Sequence, residues 1–233
     1  MSFRIGATVL IDHNGNAVQS YGFKKKRILG NVQKVLKFLD AYEVDEIHAI
    51  VPLKGEGDDK SSDIFSRLSE IPISTPLGIG GGITERNIGE ITKDPFFERC
   101  IFNSAIFNNP ELLQKAKSIM GHQSMVASVP FIVDDGLKIY HSKTNSFKTM
   151  KDELWKEIES NFNEVLLLDA SAEGDKKEFN FEVFEYIKFP IDRVLISGGL
   201  TKFDINKAKK MGLAGVSIDN FALHSEYSIR ALR

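Results

Sequence analysis

Two stretches of this chain carry residue types suited to holding an anion: "GIGGGI" at residues 78–83 and "LISGGL" at residues 195–200. Each puts paired glycines directly after an apolar run, with a threonine two positions further on. Glycine lets backbone N–H groups converge on a negative group, and the positive end of a following helix adds to the attraction. Asn103 and Ser104, after the next apolar run, can donate to the same anion as Gly81 and Gly82. Asn220 stands in the same relation to Ser197, Gly198 and Gly199. Two such cradles suit a long ligand with a phosphate at each end. For either copy alone, glycines that merely make tight strand-to-helix turns are an equally good explanation. The spacing does not complete the G-x-G-x-x-G dinucleotide fingerprint.

Proton transfer requires acids or bases placed beside a ligand. Asp169, Ser171, Glu173 and Asp175 follow one apolar run, and Asp169 and then Glu173 are the leading candidates, with Asp12 as a further one. The histidines His13, His48, His122, His141 and His224 show no metal-ligand spacing with one another or with Cys100, so no metal or cofactor is expected. Lys24, Lys25, Lys26 and Arg27 form a basic run that is either a solvated loop or an attractor for a phosphorylated substrate.

The elements that must position these residues alternate along the chain. Short β-branched runs are expected to form strands at 5–10, 46–51, 74–79, 99–102, 125–129, 164–168, 193–197 and 215–218. Helical periodicity fills 31–43, 61–70, 84–94, 110–120, 147–162, 180–188 and 201–212. Thr84 and Thr201 stand at N-cap positions, Pro110 in a first turn and Gly212 at a C-cap. Asp135-Gly136 inside "FIVDDGLKIYHSK" signals a hairpin after the fifth strand.

Eight strands alternating with helices fit a closed (β/α)₈ barrel or an open doubly wound sheet. An internal repeat favours the barrel. Gly81, Gly82, Thr84, Ile88, Ile101 and Asn103 recur 117 positions later as Gly198, Gly199, Thr201, Ile205, Ile218 and Asn220. A TIM barrel of two equivalent halves, one domain over residues 1–233, accounts for that shift.

Composition narrows the setting. With 30 basic and 32 acidic residues, the net charge of −2 gives no reason to expect nucleic-acid or membrane-surface binding. The apolar run in "MSFRIGATVLID" is too short for a membrane span, and a single cysteine suits a reducing compartment, so a cytoplasmic protein is expected.

"NGNAVQSYGF", "VDEIHAI", "LGIGGGIT", "IFNSAIFNNPELL" and "ISGGLTKFDINKAKKMGLAG", in this order over nearly the whole chain, resemble the barrel family of histidine biosynthesis. Within it they are most similar to the HisF-like cyclase branch of imidazole glycerol phosphate synthase. That resemblance implies a ligand with two phosphate-bearing ends and ammonia supplied by a HisH-like glutaminase subunit. By the same resemblance Gly81, Gly82, Asn103 and Ser104 would hold one phosphate, and Gly174, Gly198, Gly199 and Asn220 the other. Arg4, Glu46, Arg99 and Glu164 match a ring of charges that gates ammonia entry in the family, or form the salt-bridge cluster any barrel base can carry.

The family's two acid–base aspartates fall on Ile11, counted back from Gly15, and on Pro130; neither side chain can transfer a proton. A strand bulge would be needed to bring Asp12 inward, and Gln19 replaces a family lysine. A paralogous branch that also lacks the first aspartate, and keeps a run like "FKKKRILGN", accompanies amidino modification of surface-polysaccharide sugars. Three functions are therefore weighed: that paralogous enzyme subunit, a pseudoenzyme that binds without chemistry, and, ranked last, imidazole glycerol phosphate synthase itself.

Overall fold

The computed structural model describes residues 2–23, 25–52, 60–93, 95–141, 144–174, 177–219 and 229. Its elements run β1 (Arg4–Ile11), β2 (Asn16–Tyr21), β3 (Lys25–Asn31), α1 (Val32–Ala41), β4 (Ile47–Ile50), α2 (Lys60–Ser69), β5 (Leu77–Gly80), α3 (Ile88–Ile91), β6 (Phe97–Phe102) and α4 (Ala105–Asn108). They continue with α5 (Pro110–Met120), β7 (Met125–Val133), β8 (Leu137–His141), β9 (Ser146–Thr149), α6 (Asp152–Asn161), β10 (Glu164–Asp169), β11 (Val194–Ser197), α7 (Lys202–Met211) and β12 (Gly215–Ile218).

Among the described residues, β1, β4, β5, β6, β7, β10, β11 and β12 pair in parallel, each with the next. The β12–β1 ladder, Arg4 opposite Gly215 through Ala7 opposite Ile218, closes the ring. The expected (β/α)₈ TIM barrel is what forms. Closure removes the unpaired strand edges that an open sheet would leave.

Alternation along each strand sorts the side chains. Ile5, Ala7, Val9 and Ile11 of β1 belong to the core between sheet and helices, together with Leu36 and Leu39 of α1 and Trp155 and Ile158 of α6. A separate, smaller cluster of Ile101, Val126, Leu166, Leu195 and Ala214 fills the barrel interior. The helix ends follow the sequence cues. Thr201 caps α7 in a reciprocal capping box with Asp204, and Gly212 ends it in the left-handed conformation at φ 78°. Asn109 accepts from the Leu112 N–H at the start of α5, with Pro110 in its first turn.

Three segments expected to be helical differ. Among the described residues of 84–94 only Ile88–Ile91 is α-helical, because Asn87 turns its side chain back onto Gly82 O and the Thr84 N–H instead of continuing the helix. Residues 146–149 pair with β8 as β9. Residues 181–185 form a short 3-10 turn, pinned by the Asn180 N–H donating to Asp169 and by packing among Phe179, Phe181 and Phe184.

Two antiparallel excursions rise from strand C-terminal ends. The hairpin at Asp135-Gly136 is present, with φ of 49° and 106°, and joins β7 to β8. The other, β2–β3, was not foreseen; it places Lys25–Arg27, read above as a loop run, on a strand.

Candidate functional site

Because all eight barrel strands are parallel, their C-terminal ends share one rim, and both glycine turns lie on it, after β5 and after β11. These are the third and seventh strands of the ring, so the turns face each other across the mouth. Gly81 and Gly82 adopt φ of 75° and 66°, Gly198 and Gly199 φ of 101° and 63°. A side chain at Gly81 would start 1.9 Å from Val51 O, and at Gly198 2.6 Å from Asp169 O, so only glycine lets each turn lie against the neighbouring strand end. Each turn is locked by the same device: Thr84 N–H donates to Asn87 Oδ1 at 2.8 Å, and Thr201 N–H to Asp204 Oδ2 at 2.8 Å.

The remaining residues of the first cradle are nearby. Asn103 follows β6 and uses its amide to donate to Ser128 O at 3.0 Å, and Ser104 is exposed ahead of α4. On the opposite side the β2 hairpin docks on the loop after β10. Gln19 Nε2 donates to Gly174 O at 3.2 Å, Ser20 Oγ to Glu173 Oε2 at 3.1 Å, and the Phe23 N–H to the same oxygen at 2.9 Å. Gly174, at φ 78°, lies so close to this hairpin that a Cβ would fall 2.0 Å from Ser20 O. Asp219, immediately after β12, accepts from the N–H groups of both Gly174 and Gly199, each at 3.2 Å on Oδ2. Asn220 lies outside the described residues, as do Asp175 and Lys24.

The acid–base candidates separate clearly. Along β1 the inward residues are Arg4, Gly6, Thr8 and Leu10: Thr8 bonds Ser217 on the neighbouring strand β12, and Thr8 and Leu10 line the crevice under the rim. Ile11 points into the helix-facing core, so the inward position at the top of β1 is Leu10 and not Ile11. Pro130 is buried in β7 beside Leu168.

Asp12 is not brought inward. The β1–β4 register runs without a bulge, and both Asp12 oxygens organise the β1–β2 turn by accepting from the N–H groups of Asn14 and Asn16 and from Asn16 Nδ2. Partial burial would raise its carboxyl, but these hydrogen bonds prevail and hold it below the ordinary carboxylate range. Asp169, the first candidate, is buried and accepts from Ser171 N–H, Ser171 Oγ and Asn180 N–H; it shapes the loop after β10 and faces away from the barrel axis.

Glu173, the second candidate, lines the crevice with Thr8, Gln19, Ser20, Gly174 and Asp219. Burial pushes its carboxyl up to about 7, against the pull of Phe23 N–H and Ser20, with the Asp219 charge raising it and Lys26 lowering it. A carboxyl in this range exchanges protons readily near neutral pH.

At the opposite, N-terminal mouth the four charged residues close into a ring. Arg4 reaches Glu46 at 3.2 Å and Glu164 at 2.6 Å; Arg99 reaches Glu46 at 3.3 Å and Glu164 at 2.8 Å. Burial would raise the Glu46 carboxyl, but His48, Arg4 and Arg99 outweigh it and hold it down to about 2. Above the ring a polar track runs along the inner faces of the neighbouring strands β4, β1 and β12: His48 Nε2 is 3.6 Å from Glu46 Oε2, longer than a hydrogen bond. His48 Nδ1 meets Ser217 Oγ at 3.0 Å, and Ser217 Oγ meets Thr8 Oγ1 at 2.7 Å. This track and Asp219 were missed from sequence. A lone His, Ser and Thr on different strands carry no local signal, whereas Asp219 was detectable: the 117-residue repeat pairs it with Phe102. Among the described residues no group of three or more His, Cys, Asp or Glu side chains is arranged to hold a metal, and no helix is long and apolar enough to cross a membrane.

The profile of the family described as "Histidine biosynthesis protein" matches residues 5–227. A Vibrio vulnificus protein provisionally named as the hisF2 subunit of imidazole glycerol phosphate synthase is 25% identical over 224 residues, 93% of this chain and 82% of the relative. The HisF subunit of imidazole glycerol phosphate synthase from Dictyoglomus thermophilum is 24% identical over 227 residues, 92% of this chain and 87% of the relative. A phosphoribosyl imidazole-carboxamide isomerase of Caldicellulosiruptor bescii is 29% identical over 142 residues, 60% of each chain.

Proposed function

The chain belongs to the histidine biosynthesis protein family and is HisF-like, and from that premise we propose that it is a phosphate-ligand-binding barrel subunit fed with ammonia by a HisH-like glutaminase. The single observation that carries this reading is the closed ring of Arg4, Glu46, Arg99 and Glu164. A barrel base needs no such alternating ring for stability, since burying the Glu46 and Glu164 carboxylates costs desolvation that apolar residues would not incur. The His48–Ser217–Thr8 track leads from that ring toward the crevice containing Glu173.

In this reading Gly81, Gly82, Asn103 and Ser104 take a phosphate, and Glu173 is the group that exchanges a proton with the ligand. The substrate is a phosphorylated or nucleotide-linked sugar, and the reaction is the cytoplasmic amidino modification of a surface-polysaccharide sugar. Imidazole glycerol phosphate synthesis ranks below it, because Ile11 and Pro130, matched by resemblance to that reaction's two aspartates, offer no acid or base.

A second reading, a subunit that binds without chemistry, is favoured by the engagement of Asp12 and Asp169 in loop structure. Glu173→Gln separates the two: an enzyme loses turnover, and a pure binding subunit keeps its ligand and its partner unchanged. The primary test is to co-purify the chain with a HisH-like glutaminase from the same genome and measure glutamine hydrolysis. Stimulation that Arg99→Ala weakens is expected; neither association nor stimulation would reject the reading. Supplying the imidazole-synthase substrate with ammonium salts should yield no imidazole product.

A further inference from the structure

The two glycine cradles are related by the internal repeat, yet they are not equivalent. Position 219 corresponds to Phe102, whose side chain is buried against Phe162, whereas Asp219 turns its carboxylate onto the second cradle. One oxygen, Oδ2, accepts from the N–H groups of Gly174 and Gly199, 3.2 Å from each. These two donors lie on separate loops, after β10 and after β11, and converge on one point. Convergence of backbone N–H groups on one point is the geometry of an anion site, and here the anion belongs to the chain itself.

The loops cannot easily open to admit a second one. Gly174 is pressed against Ser20 O, Gln19 holds its carbonyl, and Gly198 is pressed against the backbone of Asp169. Glu173 adds a second carboxyl beside the same spot and feels the Asp219 charge. A phosphate brought here would have to displace a resident carboxylate and then remain within contact distance of it, where salt screens little.

We propose that Asp219 closes the Gly174–Gly199 cradle to phosphate, so that this barrel takes a ligand carrying one phosphate, at the Gly81–Gly82 turn, rather than two. The inference rests on the phosphate reading given above. It makes Asp219 a specificity-determining residue: the end of the ligand lying toward β11 and β12 is not phosphorylated.

The test counts inorganic phosphate sites on the full-length chain by titration calorimetry, with ³¹P line broadening as a second readout and circular dichroism to verify folding. Wild type should take one phosphate. Asp219→Ser should take two, its new site at least about a hundredfold stronger than any second site on wild type, the ratio that several kcal/mol of like-charge opposition implies. Asp219→Asn, which keeps the side chain's size and its acceptor oxygen but removes the charge, replaces it if the serine variant does not fold. Ser104→Asp, which sets a carboxylate at the first cradle, should abolish the single wild-type site. Two sites on wild type, or one site on wild type and on both Asp219 variants, would overturn the inference and leave the phosphate reading standing. No site on any of these proteins would reject the phosphate reading and the inference together. No site on wild type with one on Asp219→Ser would uphold the role of Asp219 and remove the first cradle.

Discussion

Replacing Glu173 by glutamine should change how stability depends on pH in a way few other substitutions can. Glu173 is 4% exposed, and its carboxyl is raised from 4.5 to about 7, chiefly by burial. The folded protein therefore holds this proton more tightly than the unfolded chain does. The stability contributed is complete below pH 4.5 and is lost as pH rises through 7. The interval is about 2.5 pKa units, which at 1.36 kcal/mol each amounts to about 3 kcal/mol. Glutamine carries no charge, yet its amide oxygen can still accept from Ser20 Oγ and the Phe23 N–H, the two bonds that Glu173 Oε2 now accepts. Urea unfolding followed by the fluorescence of Trp155, the single tryptophan, buried on α6, measures both proteins from pH 5 to 8. At pH 5 they should be nearly equal, and at pH 8 the variant should be more stable by about 2–3 kcal/mol. Groups titrating elsewhere affect both proteins alike and cancel in the difference. Parallel curves across the range would refute the argument that burial raises this carboxyl.

At the charged ring the sign is reversed. Glu46 is held down to about 2, so its contribution is present above pH 4.5 and is lost as pH falls toward 2; Glu46→Gln should remove that acid-limb dependence and cost about 3–5 kcal/mol near neutrality, read by urea unfolding, because Arg4 and Arg99 each lose a partner. Gly174→Ala should lower the thermal midpoint, with a cost above about 2 kcal/mol, since a Cβ would meet Ser20 O at 2.0 Å in a left-handed backbone. Thr201→Ala, which removes one half of the α7 capping box, should cost about 1 kcal/mol in chemical denaturation and leave the first glycine turn intact.

The parts legible in the sequence were those with a short period or a strong local preference. The eight barrel strands announce themselves as β-branched runs, and Thr201, Pro110, Gly212 and Asp135-Gly136 act through their own backbone or the next few residues. The repeat between Gly81 and Gly198 needed only comparison of the chain with itself, and it implied closure because two equal halves complete one ring. The helix expected over 84–94 failed where a side chain, Asn87, had a better partner in a turn than in a helix, a competition that local periodicity does not register.

Which acid lines the crevice is a different kind of fact. The strand alternation that puts Leu10 inward and Ile11 outward depends on register against β4 and β12, and a one-residue uncertainty in the turn reverses it. Asp169 and Glu173 are four residues apart and chemically alike. Only the fold gives the first to Ser171 and Asn180 and leaves the second beside Asp219 in a crevice. The sequence alone thus determined the barrel, its two-fold repeat and the two glycine turns on its rim, because each is written in local preference or self-similarity. The tertiary structure decided that Glu173 is the acid lining the crevice, that Arg4, Glu46, Arg99 and Glu164 close into a ring, and that the carboxylate of Asp219, just after β12, accepts from the N–H groups of Gly174 and Gly199. Those outcomes depend on side chains distant in sequence meeting at one point, and burial and partner charge then set what each can do.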